Sequence, residues 1–162
     1  MKTVISNSLT GVIFFFLWLL AMTLSGGRAQ AQESGFGLGI ILGEPTGLTD
    51  KKWLSTDTAL DFAAAWSFGG EDSITLHADF LQHKFNLIKI ESGSLPVYYG
   101  IGGRLKFDKN DTRLAARIPI GLNYHFEGAV LDIFVEVVPR LELVPSTEFD
   151  IGAALGVRYF FK

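Results

Sequence analysis

Leu131-Asp132-Ile133-Phe134-Val135-Glu136-Val137-Val138-Pro139-Arg140-Leu141-Glu142-Leu143 decides the fold. Every odd-numbered residue in it is apolar, and the even-numbered ones include Asp132, Glu136, Arg140 and Glu142. Strand side chains alternate between two faces, so a period of two separates a greasy face from a charged one. A helix would wind the same charges into its apolar stripe. The stretch is also long. Ordinary strands run to about 5–6 residues, whereas a tilted strand crossing a bilayer needs about 9–11.

Working outward from it, the same alternation recurs in both directions. The expected strands are Gly35–Gly43, Leu48–Leu54, Ala59–Phe68, Ser73–His83, Pro96–Phe107, Thr112–Phe126, Val130–Leu143 and Glu148–Phe161. Clusters of Gly, Pro, Asp, Asn and Ser separate them, as in Glu44-Pro45-Thr46-Gly47, Gly69-Gly70-Glu71-Asp72 and Asp108-Lys109-Asn110-Asp111. Short connections imply successive antiparallel hairpins. The less regular stretch 84–94 is the longest connection. The second strand is poor, because Asp50-Lys51-Lys52 puts charge on both parities; a bulge or a rim-exposed stretch is expected there. Pro119 and Pro139 each remove a ladder donor, which predicts local gaps or bulges.

The two faces differ in chemistry. In strands three to eight one parity runs from Leu60 to Phe161 without a charge, through Leu76, Ile101, Ile118, Val135 and Leu155. The other parity carries Asp61, Asp79, Asp132, Glu136, Glu142 and Asp150 against Arg104, Lys106, Arg113, Arg117, Arg140 and Arg158, with His77 and several glycines between them. Eight strands enclose an interior just wide enough for its own side chains. The apolar set is too bulky for that interior, so it points outward, where a charge facing lipid would cost about 2–4 kcal/mol at mid-depth. The charged set then fills the lumen as ion pairs, and the glycines leave room for the arginines. Trp66, Phe68, Tyr99, Tyr124, Phe126, Tyr159 and Phe161 lie near strand ends on the outer parity, where interfacial aromatic girdles belong. The expected fold is an all-β, eight-stranded antiparallel up-and-down transmembrane β-barrel.

The N-terminus predicts export. Lys2 precedes the uncharged, mostly apolar run Val12–Leu24, and Ala29-Gln30-Ala31 matches the small-residue site that signal peptidase reads. At 13 residues the run is short for a spanning helix of about 20. Residues 1–31 are therefore read as a signal peptide and 32–162 as the barrel domain. Lys2 and Arg28 leave with the peptide, so 12 bases face 17 acids in the mature chain. That acidic balance offers no basic patch for nucleic acid. The absence of cysteine removes disulfides, thiolate nucleophiles and cysteine metal sites.

The segments GIILGEPTGLT (39–49), YYGIGGR (98–104), RIPIGLNYHF (117–126), DIFVEVVPRLELVPS (132–146) and GAALGVRYFF (152–161) resemble the small outer-membrane barrels of the OmpA/OmpX type. More narrowly, they are similar to a group of bacterial outer-membrane barrel proteins that carry no known reaction. The resemblance implies residence in the Gram-negative outer membrane and contact with its lipid. It also implies delivery by periplasmic chaperones and the barrel-assembly machinery. Barrels of this kind end in an aromatic residue; Tyr159 and Phe161 fit, although Lys162 follows them.

Catalytic signals are thin. Lipid A deacylases place a Ser two residues after a His, but His125 is followed by Phe126 and Glu127. His77 and Asp79 share the lumen face and suit a hydrogen bond within the lumen network. His83 is expected at a rim. Gly100-Ile101-Gly102-Gly103 opens no helix and so binds no nucleotide. No spacing of metal ligands and no cofactor motif is evident. If the chain starts in the periplasm, the outer loops 44–47, 69–72, 108–111 and 144–147 are short. The expectation is a non-enzymatic barrel without porin activity, in a structural or envelope-interaction role with no identified ligand. A lipid A-modifying enzyme and a secreted soluble barrel of the lipocalin kind are the alternatives.

Overall fold

The computed structural model describes residues 35–44, 46–67, 73–109 and 111–161, apart from the Ser67 side chain. The expected signal peptide, Phe68, the 69–72 turn and Lys162 lie outside the described residues. The elements are β1 (Phe36–Gly43), β2 (Gly47–Trp53), β3 (Thr58–Ser67), β4 (Ser73–Lys84), β5 (Val97–Asp108), β6 (Thr112–Arg117), β7 (Ile120–His125), β8 (Leu131–Val144) and β9 (Glu148–Phe161). All pairings are antiparallel.

The sheet closes on itself. β1 pairs with β2 on one side and with β9 on the other, from Phe36↔Phe161 to Gly43↔Ala154. β6 and β7 both lie between β5 and β8, so they are two halves of one wall. The result is a ring of eight, which leaves no sheet edge.

Pro119 is the reason for the split. It lacks an N–H, and β6 stops at Arg117 just before Ile118-Pro119. The gap stays bonded on both sides: Ile118 N–H donates to the Pro139 carbonyl at 3.0 Å, and Gly100 N–H donates to the Pro119 carbonyl at 2.9 Å. Pro139 itself interrupts nothing, since β8 runs through it, and the register shift with β6 falls at Leu114/Ala115. The expected gap therefore forms at one proline and not at the other.

β2 also departs from expectation. It is a regular strand, paired residue for residue with β1 and β3, with neither a bulge nor a rim excursion. Lys51 points inward and is fully buried. Asp50 and Lys52 share the outer face with their cross-strand partners Leu38, Phe62, Phe36 and Leu60.

Burial fixes the sense of the two faces. Ile74 is 55% exposed, Ile101 66%, Val135 50% and Leu155 53%, while Asp132, Arg117 and Arg158 are 2% or less. The apolar parity is outside, as its volume required. The interior is not filled by charge alone. Ile41, Leu81, Tyr98 and Phe134 form one apolar cluster inside it, and Trp53, Ala59 and Phe160 form another, with Phe85 and Val130 against the second.

The barrel has two unlike ends. One end carries the strand ends at Phe36 and Phe161, the turns 54–57 and 126–130, and the connection 85–96. That connection is tied down: Ser94 and His125 exchange backbone hydrogen bonds at 3.0 and 2.8 Å, and Asn123 N–H donates to the Pro96 carbonyl at 3.0 Å. The other end carries the short connections from β1 to β2, from β5 to β6 and from β8 to β9.

Candidate functional site

The lumen is built on hydrogen-bonded rows that run round the barrel. One row places Lys51, Asp61, Asp79, Gly102, Arg117, Arg140 and Asp150 on successive walls, all pointing inward. Gly102 matters to it. A Cβ there would collide with the Asp79 carboxylate and the Ala78 carbonyl, so any side chain would push Asp79 out of position. Gly39 does the same for Arg158, whose Cγ would lie 2.7 Å from an added Cβ, and Gly152 for Arg140, whose guanidinium would lie at 2.9 Å.

Two arginines organise the buried acids. Arg158 pairs with Asp61 through Nη1 and donates from Nε to Asp132 at 3.1 Å, and its guanidinium stacks 4.0 Å over Phe134. Arg117 lies with Nε 3.1 Å from Asp79 and donates from Nη2 to Glu136 at 3.1 Å. Glu136 also accepts from the Tyr98 hydroxyl at 2.8 Å. A planar guanidinium with several fixed donors can bridge two carboxylates at once, which a lysine ammonium does less well. Buried charge is tolerated here because each ion has an opposite partner.

Nearer the open end the charges loosen. Arg140 pairs with Asp150 and with Glu44, the latter at 2.6 Å. Lys106 lies 3.3 Å from Asp108, and Arg113 lies 3.5 Å from Asp108 and 3.7 Å from Glu142. Arg104 is half-buried and, among the described residues, makes no ion pair. So the expected network resolves into an enclosed pair of bridges, a rim set, and one arginine outside both.

His77 lies between Asp61 and Asp79, with Nε2 3.9 Å from an oxygen of each. That is too long for a hydrogen bond, so the expected His77–Asp79 bond is absent. At the closed end lies a group that the alternation had not singled out as a site. Lys51 Nζ donates to His83 Nε2 at 2.7 Å and to Asn123 Oδ1 at 2.9 Å, and His125 Nε2 donates to the same oxygen at 2.9 Å. Lys51 Nζ is also 4.6 Å from the Trp53 ring centroid. His83 is thus buried in the lumen and not at a rim, because the 85–96 connection folds over that end. Together with Trp53, Phe85 and Phe160 this group stoppers the barrel.

Of the outer aromatics, Trp66, Tyr99 and Phe161 are exposed and Tyr124, Phe126 and Tyr159 are half-buried. Tyr124 packs edge-on against Phe126 at 4.7 Å, and Tyr159 against Phe161 at 5.1 Å, both at the closed end. Outside the strands, Asp57 receives hydrogen bonds from the Ser55 hydroxyl and the Gln82 amide, which hold its carboxyl below the usual range.

No family model matches the chain, and no curated protein matches it. Among solved structures it is similar to the N-terminal β-barrel domain of Pseudomonas aeruginosa OprF. That match has a TM-score of 0.54 and 16% identity, and it covers 80% of this chain and 98% of that one. The likeness shows the fold: an OmpA-like eight-stranded β-barrel.

Proposed function

We propose that this chain is an integral outer-membrane β-barrel protein without enzymatic activity, serving a structural or envelope-interaction role. The observation that carries the reading is the sense of the two faces. A closed ring with large apolar side chains exposed around it, and arginines and acids buried within it, is stable in lipid and poorly soluble in water. The aromatic belt at the closed end supports a membrane boundary there. Its partners are then outer-membrane lipid and, during biogenesis, periplasmic chaperones and the assembly machinery. Residues 1–31 are the export signal and 32–162 the barrel.

The closed end argues against a porin role. Lys51, His83, Asn123, His125 and Trp53 are buried at that level, and the first four are hydrogen-bonded to one another across the lumen. Short turns at the other end offer little loop surface for a soluble partner.

Fractionation and gel mobility test the reading. The protein is expected in the outer-membrane fraction, with different mobility before and after boiling. Recovery as a soluble species without detergent would replace it with the secreted-barrel reading. A change in lipid A acylation on deletion would replace it with an enzymatic one.

A further inference from the structure

We propose that Asp61, His77 and Asp79 form a binding site for one divalent transition-metal ion of the zinc class, inside the barrel and above its stopper. The three donor groups are buried, and their ligand atoms lie within 4.8 Å of one another. Each carboxylate is split between two tasks. Asp61 gives Oδ1 to Arg158 and turns Oδ2 to His77; Asp79 gives Oδ1 to Arg117 and turns Oδ2 to His77. The arginines thus orient the acids in the way that outer partners orient metal ligands. Between the two free oxygens stands an imidazole 4% exposed, with neither ring nitrogen hydrogen-bonded. An unbonded buried ring nitrogen aimed at two carboxylates is costly to leave empty.

The geometry suits a small ion. With one ligand atom from each residue within 4.8 Å of the other two, some point lies within about 2.8 Å of all three. Zinc bonds to imidazole nitrogen and carboxylate oxygen run to about 2.0–2.2 Å, so moves of less than an ångström close the site. Three protein ligands leave a fourth position for water. One imidazole and two carboxylates also suit Mn²⁺, Fe²⁺ or Co²⁺, and suit calcium less well. Charge favours a cation. Asp61, Asp79, Asp132 and Glu136 are all buried here, against Arg117, Arg158 and Lys51.

Access is from the open end. On the row beyond His77 the inward residues Thr75, Lys106 and Arg113 are only partly buried, and a cavity of about 420 Å³ lined by Gly43, Glu44, Ala65, Thr75 and Lys106 opens above it.

Calorimetric titration of the detergent-purified protein with ZnCl₂ at neutral pH tests the site. We expect saturation at one ion per chain, weakened about 100-fold or more in His77→Ala and in Asp79→Asn, with boiling-dependent gel mobility retained. X-ray absorption of the zinc-loaded wild-type protein needs no variant, and is expected to show a single imidazole among oxygen ligands. The proposal is overturned by a lack of saturable binding or by unchanged affinity in folded variants. Two imidazoles in the zinc shell would overturn it as well, since they would move the ion to His83 and His125.

Discussion

Replacing Arg158 by Leu tests the organisation of the lumen most directly. The guanidinium is 2% exposed and is shared between Asp61 and Asp132, which lie on β3 and β8. Its removal leaves two buried carboxylates facing no cation at that point, and breaking a buried pair from one side costs about 3–5 kcal/mol. Asp61→Asn is a milder change. Arg158 keeps its Nε bond to Asp132 at 3.1 Å, so the loss is one charge-assisted hydrogen bond, about 1.5–3 kcal/mol. Removing all three ions together (Arg158→Leu, Asp61→Asn, Asp132→Asn) should recover most of the single-variant loss, because no unpaired charge remains. Guanidinium unfolding in lipid vesicles measures this, followed by the fluorescence of Trp53 inside and Trp66 outside. The reasoning fails if Arg158→Leu costs under about 1 kcal/mol, or if the triple variant is no more stable than the single one.

Three further outcomes follow from the same geometry. Cysteine placed at Leu76, Ile118 or Val135, all exposed on the outer surface, should resist a water-soluble maleimide in native vesicles, whereas cysteine at Thr75 in the open lumen should react; rapid labelling of the first three would refute a lipid-facing belt. Gly102→Val should destabilise the barrel by about 2 kcal/mol or more, since its Cβ meets both a backbone carbonyl and the Asp79 carboxylate; the same denaturant midpoint as wild type would show that the row can relax. The Asp57 carboxyl should titrate below the unfolded value of about 3.9 by carbon NMR, and Ser55→Ala should move it upward. Because that pKa is depressed in the folded state, its contribution to stability is present above about pH 4 and fades as pH falls through the folded value.

Much of the architecture was legible because alternation is a local property. Val135 and Glu136 belong to opposite faces whatever the rest of the chain does, and volume alone decides which face is inside. Lys51 was not legible in that way. Its neighbours Asp50 and Lys52 are charged too, so the period of two vanishes where charge is the marker, although Thr49, Lys51 and Trp53 keep one parity and all point inward. His83 was hidden for a different reason. It lies at a strand end, and only the fold-back of residues 85–96 encloses it. Inward Phe134 and Phe160 look like extra outer residues between apolar neighbours, yet they fill the space that the small partners Gly156 and Gly37 leave.

Which acid meets which base depends on closure, and closure is not local. One row runs His125, Asp132, Arg158, Gly39, Thr49, Ala63, His77, Arg104 and Ala115 to Glu142 and Glu148, so it starts at the closed end and finishes at the open mouth. That stagger is the shear every closed barrel must adopt. A slip of one residue between β1 and β9 would turn a whole face inside out, so hydrophobic patterning forbids it. A slip of two residues keeps every face as it is, and patterning is blind to it. The ions are not blind to it: with β9 moved by two in one direction, Arg158 would leave Gly39 for Ile41, whose buried side chain takes that space, and with either slip its carboxylate on β3 would be out of line. The glycines and the buried ion pairs therefore choose among registers that the greasy belt leaves equal. Charge inside this barrel specifies the register more than it adds stability, which is why the triple neutral variant is expected to be more stable than the single one.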